Sequence, residues 1–184
     1  MAALTLDIDY TEPRSRLTNF FRYVLAIPHL LIVGVLGYAV QLVSVVQWVI
    51  ILFTGKRNEG IWNFSNGVLN WQTRTATYVG LMYDAYPNFA FEGLNEPVRY
   101  GATYEAEASR LTNGLRFIWA IPAIVIMAVL SIAGAVVTLV CWFAILFTAK
   151  QPRGMFDFLL KVHRYSMRTN GYVLLLSDTY PVFE

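Results

Sequence analysis

The side chains of this 184-residue sequence best suited to proton transfer, nucleophilic attack or metal binding are His29, His163 and Cys141. Neither histidine has a second histidine or a cysteine at metal-ligand spacing, and neither accompanies a nucleophile signature. His29 lies within an apolar run, where an ionisable group is a functional candidate by default. Cys141 also lies in an apolar run, which makes it a packing residue, and a single cysteine excludes an intrachain disulfide. Asp7 and Asp9 alternate in Leu-Asp-Ile-Asp without the spacing of an EF-hand. No catalytic residue, no metal and no cofactor are therefore expected. The arginines are placed more regularly. Arg74 stands three residues after Trp71 and four before Tyr78, and Arg168 stands likewise between Tyr165 and Tyr172. An arginine between two aromatics on one helix face suits a cation–π contact, an anionic headgroup or a carboxylate. Asp84 and Asp178 are the carboxylates expected to pair with Arg74 and Arg168.

The elements that must position these groups come from an unusually apolar chain. It is 57% hydrophobic and 14% charged, where a soluble domain averages about 45–50% and about 25%. The excess sits in two runs, residues 23–53 and 117–147. Each far exceeds the ~18 apolar residues that mark a membrane segment. No cleavable signal peptide is expected, because the first residues carry Asp7, Asp9 and Glu12 and lack a basic or apolar leader. A net charge of +2 is too small to argue for nucleic acid.

The chain says the same thing twice. At a constant offset of 94 residues, Arg22 falls on Arg116, Pro28 on Pro122, Trp48 on Trp142 and Lys56 on Lys150. Arg74-Thr75 falls on Arg168-Thr169, Asp84 on Asp178 and Tyr86-Pro87 on Tyr180-Pro181. The exceptions matter too: Ala123 stands opposite His29, and Leu69 opposite His163. Two repeats are expected, 1–92 and 93–184. The ordered phrases WVIILFTGK, GIWNFSNGVLNWQTR and YDAYPNF, and their counterparts WFAILFTAK and SDTYPVF, resemble the DUF4389 family of bacterial membrane proteins. The resemblance covers nearly the whole chain. It implies residence in a bacterial inner membrane and supplies no reaction or substrate.

Each repeat reads as a short alternating strand (residues 4–10; near 98–105), the apolar run, a polar turn, and an amphipathic helix of about 24 residues. The helix stripe is Phe64, Val68, Trp71, Thr75 and Tyr78, repeated as Phe158, Val162, Tyr165, Thr169 and Tyr172. It is expected to lie in the membrane interface or against the apolar run. Arg16, Arg22, Lys56 and Arg57 flank the first run; Arg110, Arg116, Lys150 and Arg153 flank the second. Basic residues favour the cytoplasmic side, so both ends of each run prefer one side. Of two alternatives, a helical hairpin and a single tilted span, this favours the hairpin, reversing near Gly34 and Gly37 or near Ser131 and Gly134. The expected fold is thus mainly α, with cytoplasmic termini and a small cytoplasmic sheet made by the two strands and joined by the tails Asn88–Phe91 and Val182–Phe183. A pseudo-twofold axis normal to the membrane is expected to relate the repeats.

A cation at a helix N-terminus is opposed by the macrodipole. Arg16, Arg22, Arg110 and Arg116 are therefore expected to meet lipid phosphates, with Lys56, Lys150, Arg74 and Arg168 as further headgroup or interfacial candidates. The expected partners are membrane lipids, chiefly anionic phospholipid, with a homo-oligomer or a larger membrane complex, and no nucleic acid. The expected function is a non-enzymatic scaffold, lipid-organising element or accessory subunit. The alternatives are an oligomeric transporter or small channel, and a membrane enzyme acting on lipid through His29 or Asp84.

Overall fold

A computed structural model describes residues 4–93 and 97–184. The order is β1 (Leu4–Ile8), α1 (Arg16–Thr54), α2 (Glu59–Val79), β2 (Val98–Ala102), α3 (Arg110–Thr148) and α4 (Arg153–Val173). Each repeat is therefore a strand, a long helix and a shorter returning helix.

The expected hairpins are not formed. Each apolar run lies within one continuous helix of 39 residues, about 58 Å long. Gly34, Gly37, Ser131 and Gly134 are ordinary helical positions within it. The reason is packing: α2 folds back along α1 and covers the stripe through Arg22, Ala26, His29, Val33 and Val40. A reversal at Gly34 would break that seam. Pro28 and Pro122 are carried inside the long helices. The repeated Ser-Arg-Leu-Thr-Asn supplies the start. Ser15 and Ser109 are N-caps whose hydroxyls accept from the amides of Thr18 and Thr112, each at 3.2 Å.

The amphipathic stripe is the packing face. Val68, Trp71, Thr75 and Tyr78 are buried, as are Val162, Tyr165, Thr169 and Tyr172. Each shorter helix ends on a leucine in the left-handed region, Leu81 at φ 63° and Leu175 at φ 65°. Glycine usually fills that position. Here both leucine side chains are buried in the core, which offsets the strain.

The repeats interlock head to tail. The Trp142 indole donates to the carbonyl of Asn19 (3.0 Å), and the Asn19 amide donates to the carbonyl of Trp142 (3.0 Å). At the other end Trp48 and Asn113 make the same exchange, at 2.9 Å each. The start of each long helix thus lies beside the end of the other, and α1 and α3 run antiparallel. The sheet obeys the same twofold: β1 and β2 pair antiparallel, with Leu6 opposite its neighbour Tyr100 at the centre and Leu4–Ala102 mirrored by Ile8–Val98. Three layers stack along this pseudo-axis. The α1–α3 pair forms one outer layer, α2 and α4 the middle, and the sheet the other outer layer. Tyr100 reaches the Asn66 side chain on α2 (2.7 Å), and Arg164 on α4 reaches the Leu6 carbonyl (2.7 Å). Leu4, Leu6 and Ile8 point inward, while Asp7 and Asp9 point out to Arg99. The tails after each Tyr-Pro do not join the sheet.

Candidate membrane interface

The outer face of the α1–α3 layer is apolar from end to end. On α1 it runs through Leu17, Phe20, Val24, Leu31, Val35, Leu42, Val49 and Phe53, all exposed. On α3 it runs through Phe117, Ile121, Val125, Ile132, Val136, Leu139, Phe143 and Phe147. No charged residue interrupts it between Arg22 and Lys56, or between Arg116 and Lys150. The face is about 50 Å long and two helices wide. The largest apolar patch of a typical monomer is about 300–600 Å², which a face of this length exceeds. Both helices are long and apolar enough to cross a membrane by length and composition.

Exposed cations flank this face at its two ends. Arg16 and Lys150 lie at one end; Arg110 and Lys56 lie at the other. The antiparallel pairing explains why a helix N-terminus tolerates arginine. Arg16 donates to the Phe147 carbonyl (3.0 Å) at the C-terminal end of α3, so it sits beside the negative pole of its neighbour. Arg110 lies likewise against Gly55, the C-cap of α1.

Arg22 and Arg116 do not fit a headgroup role. Both are buried under the turns that follow α2 and α4. Arg22 donates to the carbonyls of Tyr78 (2.7 Å) and Tyr83 (2.5 Å) and pairs with Asp84 (2.6 Å). Arg116 donates to the carbonyls of Tyr172 and Ser177 and pairs with Asp178. Each guanidinium also lies over a tyrosine ring, 4.6 Å from Tyr78 and 4.4 Å from Tyr172. The second carboxylate oxygen accepts from the backbone amide of the N-cap, Ser15 or Ser109, at 2.8 Å. One carboxylate thus ties the long helix start to the turn closing the repeat.

The pairings expected for Asp84 with Arg74 and for Asp178 with Arg168 are therefore corrected, because Arg22 and Arg116 take those carboxylates. Buried Arg74 instead bonds Asn70, Asn88 and the Ala90 carbonyl, which leaves it no headgroup contact. Arg168 bonds Glu184 and the Val182 carbonyl.

The buried roles of two further cations are not legible in the sequence, where Arg57 counts only as a charge flanking the first run. Arg57 pairs with Asp178 at 2.6 Å and donates to the carbonyls of Leu175, Glu105 and Glu107. Arg14 donates to the Met82 carbonyl (2.6 Å) and to Gln151 (3.0 Å) at the other end. Arg14 stands opposite Ala108 in the repeat, and Arg57 opposite Gln151. Each end thus receives a buried second arginine, supplied from a different sequence position.

His29 is a packing histidine. Its Nδ1 accepts from the Trp71 indole (2.9 Å), and its ring stacks on Phe89 with centroids 4.0 Å apart. In the second repeat Tyr165 donates instead to the Ala123 carbonyl (3.3 Å), so the contact survives without an imidazole. Cys141 is buried against Met155. Among the described residues no group of three His, Cys, Asp or Glu side chains could hold a metal ion.

Fold and surface together define a duplicated helical protein with one extended apolar face rimmed by cations. The family model described as "Domain of unknown function (DUF4389)" matches the chain twice, over residues 16–90 and 110–184. The protein belongs to the DUF4389 family as two tandem copies. Neither curated proteins nor solved structures returned a match.

Proposed function

We propose that this protein is a non-enzymatic membrane protein that lies flat on the cytoplasmic leaflet and organises anionic lipid beneath it. The observation that carries this reading is the sorting of polarity by layer. The α1–α3 face is apolar throughout, while α2, α4 and the charged sheet all lie on the other side. A spanning orientation would draw Asp157, Lys161, Arg164 and the sheet residues Asp7, Asp9 and Arg99 into hydrocarbon. Each charge at mid-bilayer costs about 2.5–3.5 kcal/mol or more. A helix of about 58 Å also overshoots a ~30 Å core. Lying flat removes both conflicts. It puts both ends of each long helix at one level, as their flanking cations require, and directs the pseudo-twofold axis along the membrane normal. Arg16 with Lys150, and Arg110 with Lys56, then face phospholipid headgroups at the two ends. Each adds about 1 kcal/mol to binding on an anionic surface.

The test is sedimentation of purified protein with vesicles. Wild type is expected to bind phosphatidylglycerol-containing vesicles more tightly than pure phosphatidylcholine. Replacing Arg16, Lys56, Arg110 and Lys150 together by Gln is expected to remove that preference, and Val35→Asp with Val129→Asp to weaken binding to both. Equal binding of the Gln variant to both vesicle types, matched by wild type, would sink the reading.

A further inference from the structure

The two long helices join at their ends through the Trp–Asn exchanges and leave two crevices between them, related by the pseudo-twofold. Gln41, Ser44, Phe117 and Ile124 line one. Their counterparts Ala135, Thr138, Tyr23 and Leu30 line the other. The two have diverged. The first has Arg116 in its wall, already paired with Asp178; its counterpart Arg22, paired with Asp84, lies outside the lining of the second. The second has no charged side chain in its lining and carries His163, where the first repeat has Leu69. We propose that the second crevice holds the head of an uncharged, hydroxyl-bearing lipid of the diacylglycerol class, with its chains running out between α1 and α3. This deepens the flat-lying reading and rests on it for the lipid's orientation.

The polar groups sit where such a head would arrive. His163 and Ser166 on α4 and Gly80, the C-cap of α2, lie on the middle-layer side of the crevice, with Thr138 on α3. Tyr23, Leu30, Ser131 and Ala135 belong to the long helices and are exposed. Beneath a protein lying flat, a lipid points its head toward the middle layer and its chains toward the hydrocarbon. The crevice has that polarity. Gly80 makes room for the imidazole: a Cβ there would come within 2.3 Å of His163 Nε2. No hydrogen bond to the His163 side chain is made among the described residues. Burial pushes its pKa down to about 4, so at neutral pH the ring is uncharged, with one donor and one acceptor nitrogen. A hydroxyl can satisfy either. A phosphate would enter without a counter-charge, at the cost of losing its hydration.

Purified full-length protein in dodecyl maltoside micelles, titrated with dioleoylglycerol and read by native mass spectrometry, tests the proposal. One bound dioleoylglycerol is expected, with dioleoylphosphatidic acid held no better than in a variant whose crevice is filled. Ala135→Phe, at the exposed rim, is expected to lower occupancy roughly tenfold by filling the space. His163→Leu, which installs the other repeat's residue, is expected to lower it roughly fivefold, the worth of one hydrogen bond. Wild type without a retained lipid overturns the proposal, as does occupancy unchanged in both variants. Because no bilayer is present, failure here is separate from failure of the vesicle experiment. Ala135→Phe protein that still binds vesicles like wild type would confine the effect to the crevice.

Discussion

Asp84 and Asp178 do the same work with different surroundings. Asp178 neutralises Arg116 and Arg57 together, whereas Asp84 pairs with one arginine among the described residues, Arg22. Breaking a buried pair by removing one partner costs about 3–5 kcal/mol; partial exposure of these carboxylates places them near the lower figure. Asp178→Asn is therefore expected to lower stability more than Asp84→Asn, by chemical denaturation of the detergent-solubilised protein. The second arginines give a sharper prediction. Arg57→Gln reproduces the Gln151 of the other end, and Ala108→Arg reproduces Arg14. The single Arg57→Gln is expected to be destabilised, and Arg57→Gln with Ala108→Arg to recover about 1–2 kcal/mol through coupling. Additive losses would refute the equivalence of the two ends. The repeat made Asp84 and Asp178 stand out in the sequence, but it could not choose between two recurring arginines as their partner. It also hid Arg14 and Arg57, since matching the copies position by position discards a charge that moves to another segment while keeping its place in space.

At the scale of the elements, the two long helices differ at their caps. Gly55 ends α1 at φ 70°, and Ala149 ends α3 at φ 57°, each amide bonding a carbonyl one turn back. A Cβ in the left-handed region is strained by about 1–2 kcal/mol. Ala149→Gly is expected to stabilise the protein by about 0.5–1 kcal/mol, part of the relief being lost to the freer unfolded chain. Gly55→Ala is expected to destabilise it by about 1–2 kcal/mol, and thermal melting of the two variants should move in opposite directions. Strands and shorter helices were legible from period-two and helical spacing, and both were found close to where the pattern put them. The continuous long helix was not. Charges at both ends of an apolar run were weighed as a hairpin or a tilted span, because crossing was assumed. The packing of α2 along α1 keeps the run as one helix, and a helix lying in the plane, as proposed, satisfies the same charges.

The whole molecule turns on antiparallel pairing. In the flat orientation both ends of α1 face one compartment; a spanning α1 would separate them. With Cys141→Ala as background, single cysteines replacing the exposed Glu12 and Glu59, which flank the two ends of α1, should react with a membrane-impermeant maleimide in inverted vesicles and neither should react in right-side-out cells. Labelling of one end only in each preparation would show a crossing. A pseudo-twofold is expected from the repeat, but duplication says only that two units are alike, not which residues meet across the axis. The meeting is recorded in Trp48, Trp142, Asn19 and Asn113, each of which finds its partner in the opposite copy.

That reciprocal exchange has a consequence for how the two halves can vary. The Trp–Asn contacts come as mirrored pairs, so each repeat carries both halves of this part of the interface, as a unit pairing with a copy of itself about a true twofold would. In one chain the two halves of that interface are encoded separately, so a change in one need not appear in the other. His29 stands opposite Ala123, and His163 opposite Leu69, so the two crevices are free to differ in what lines them.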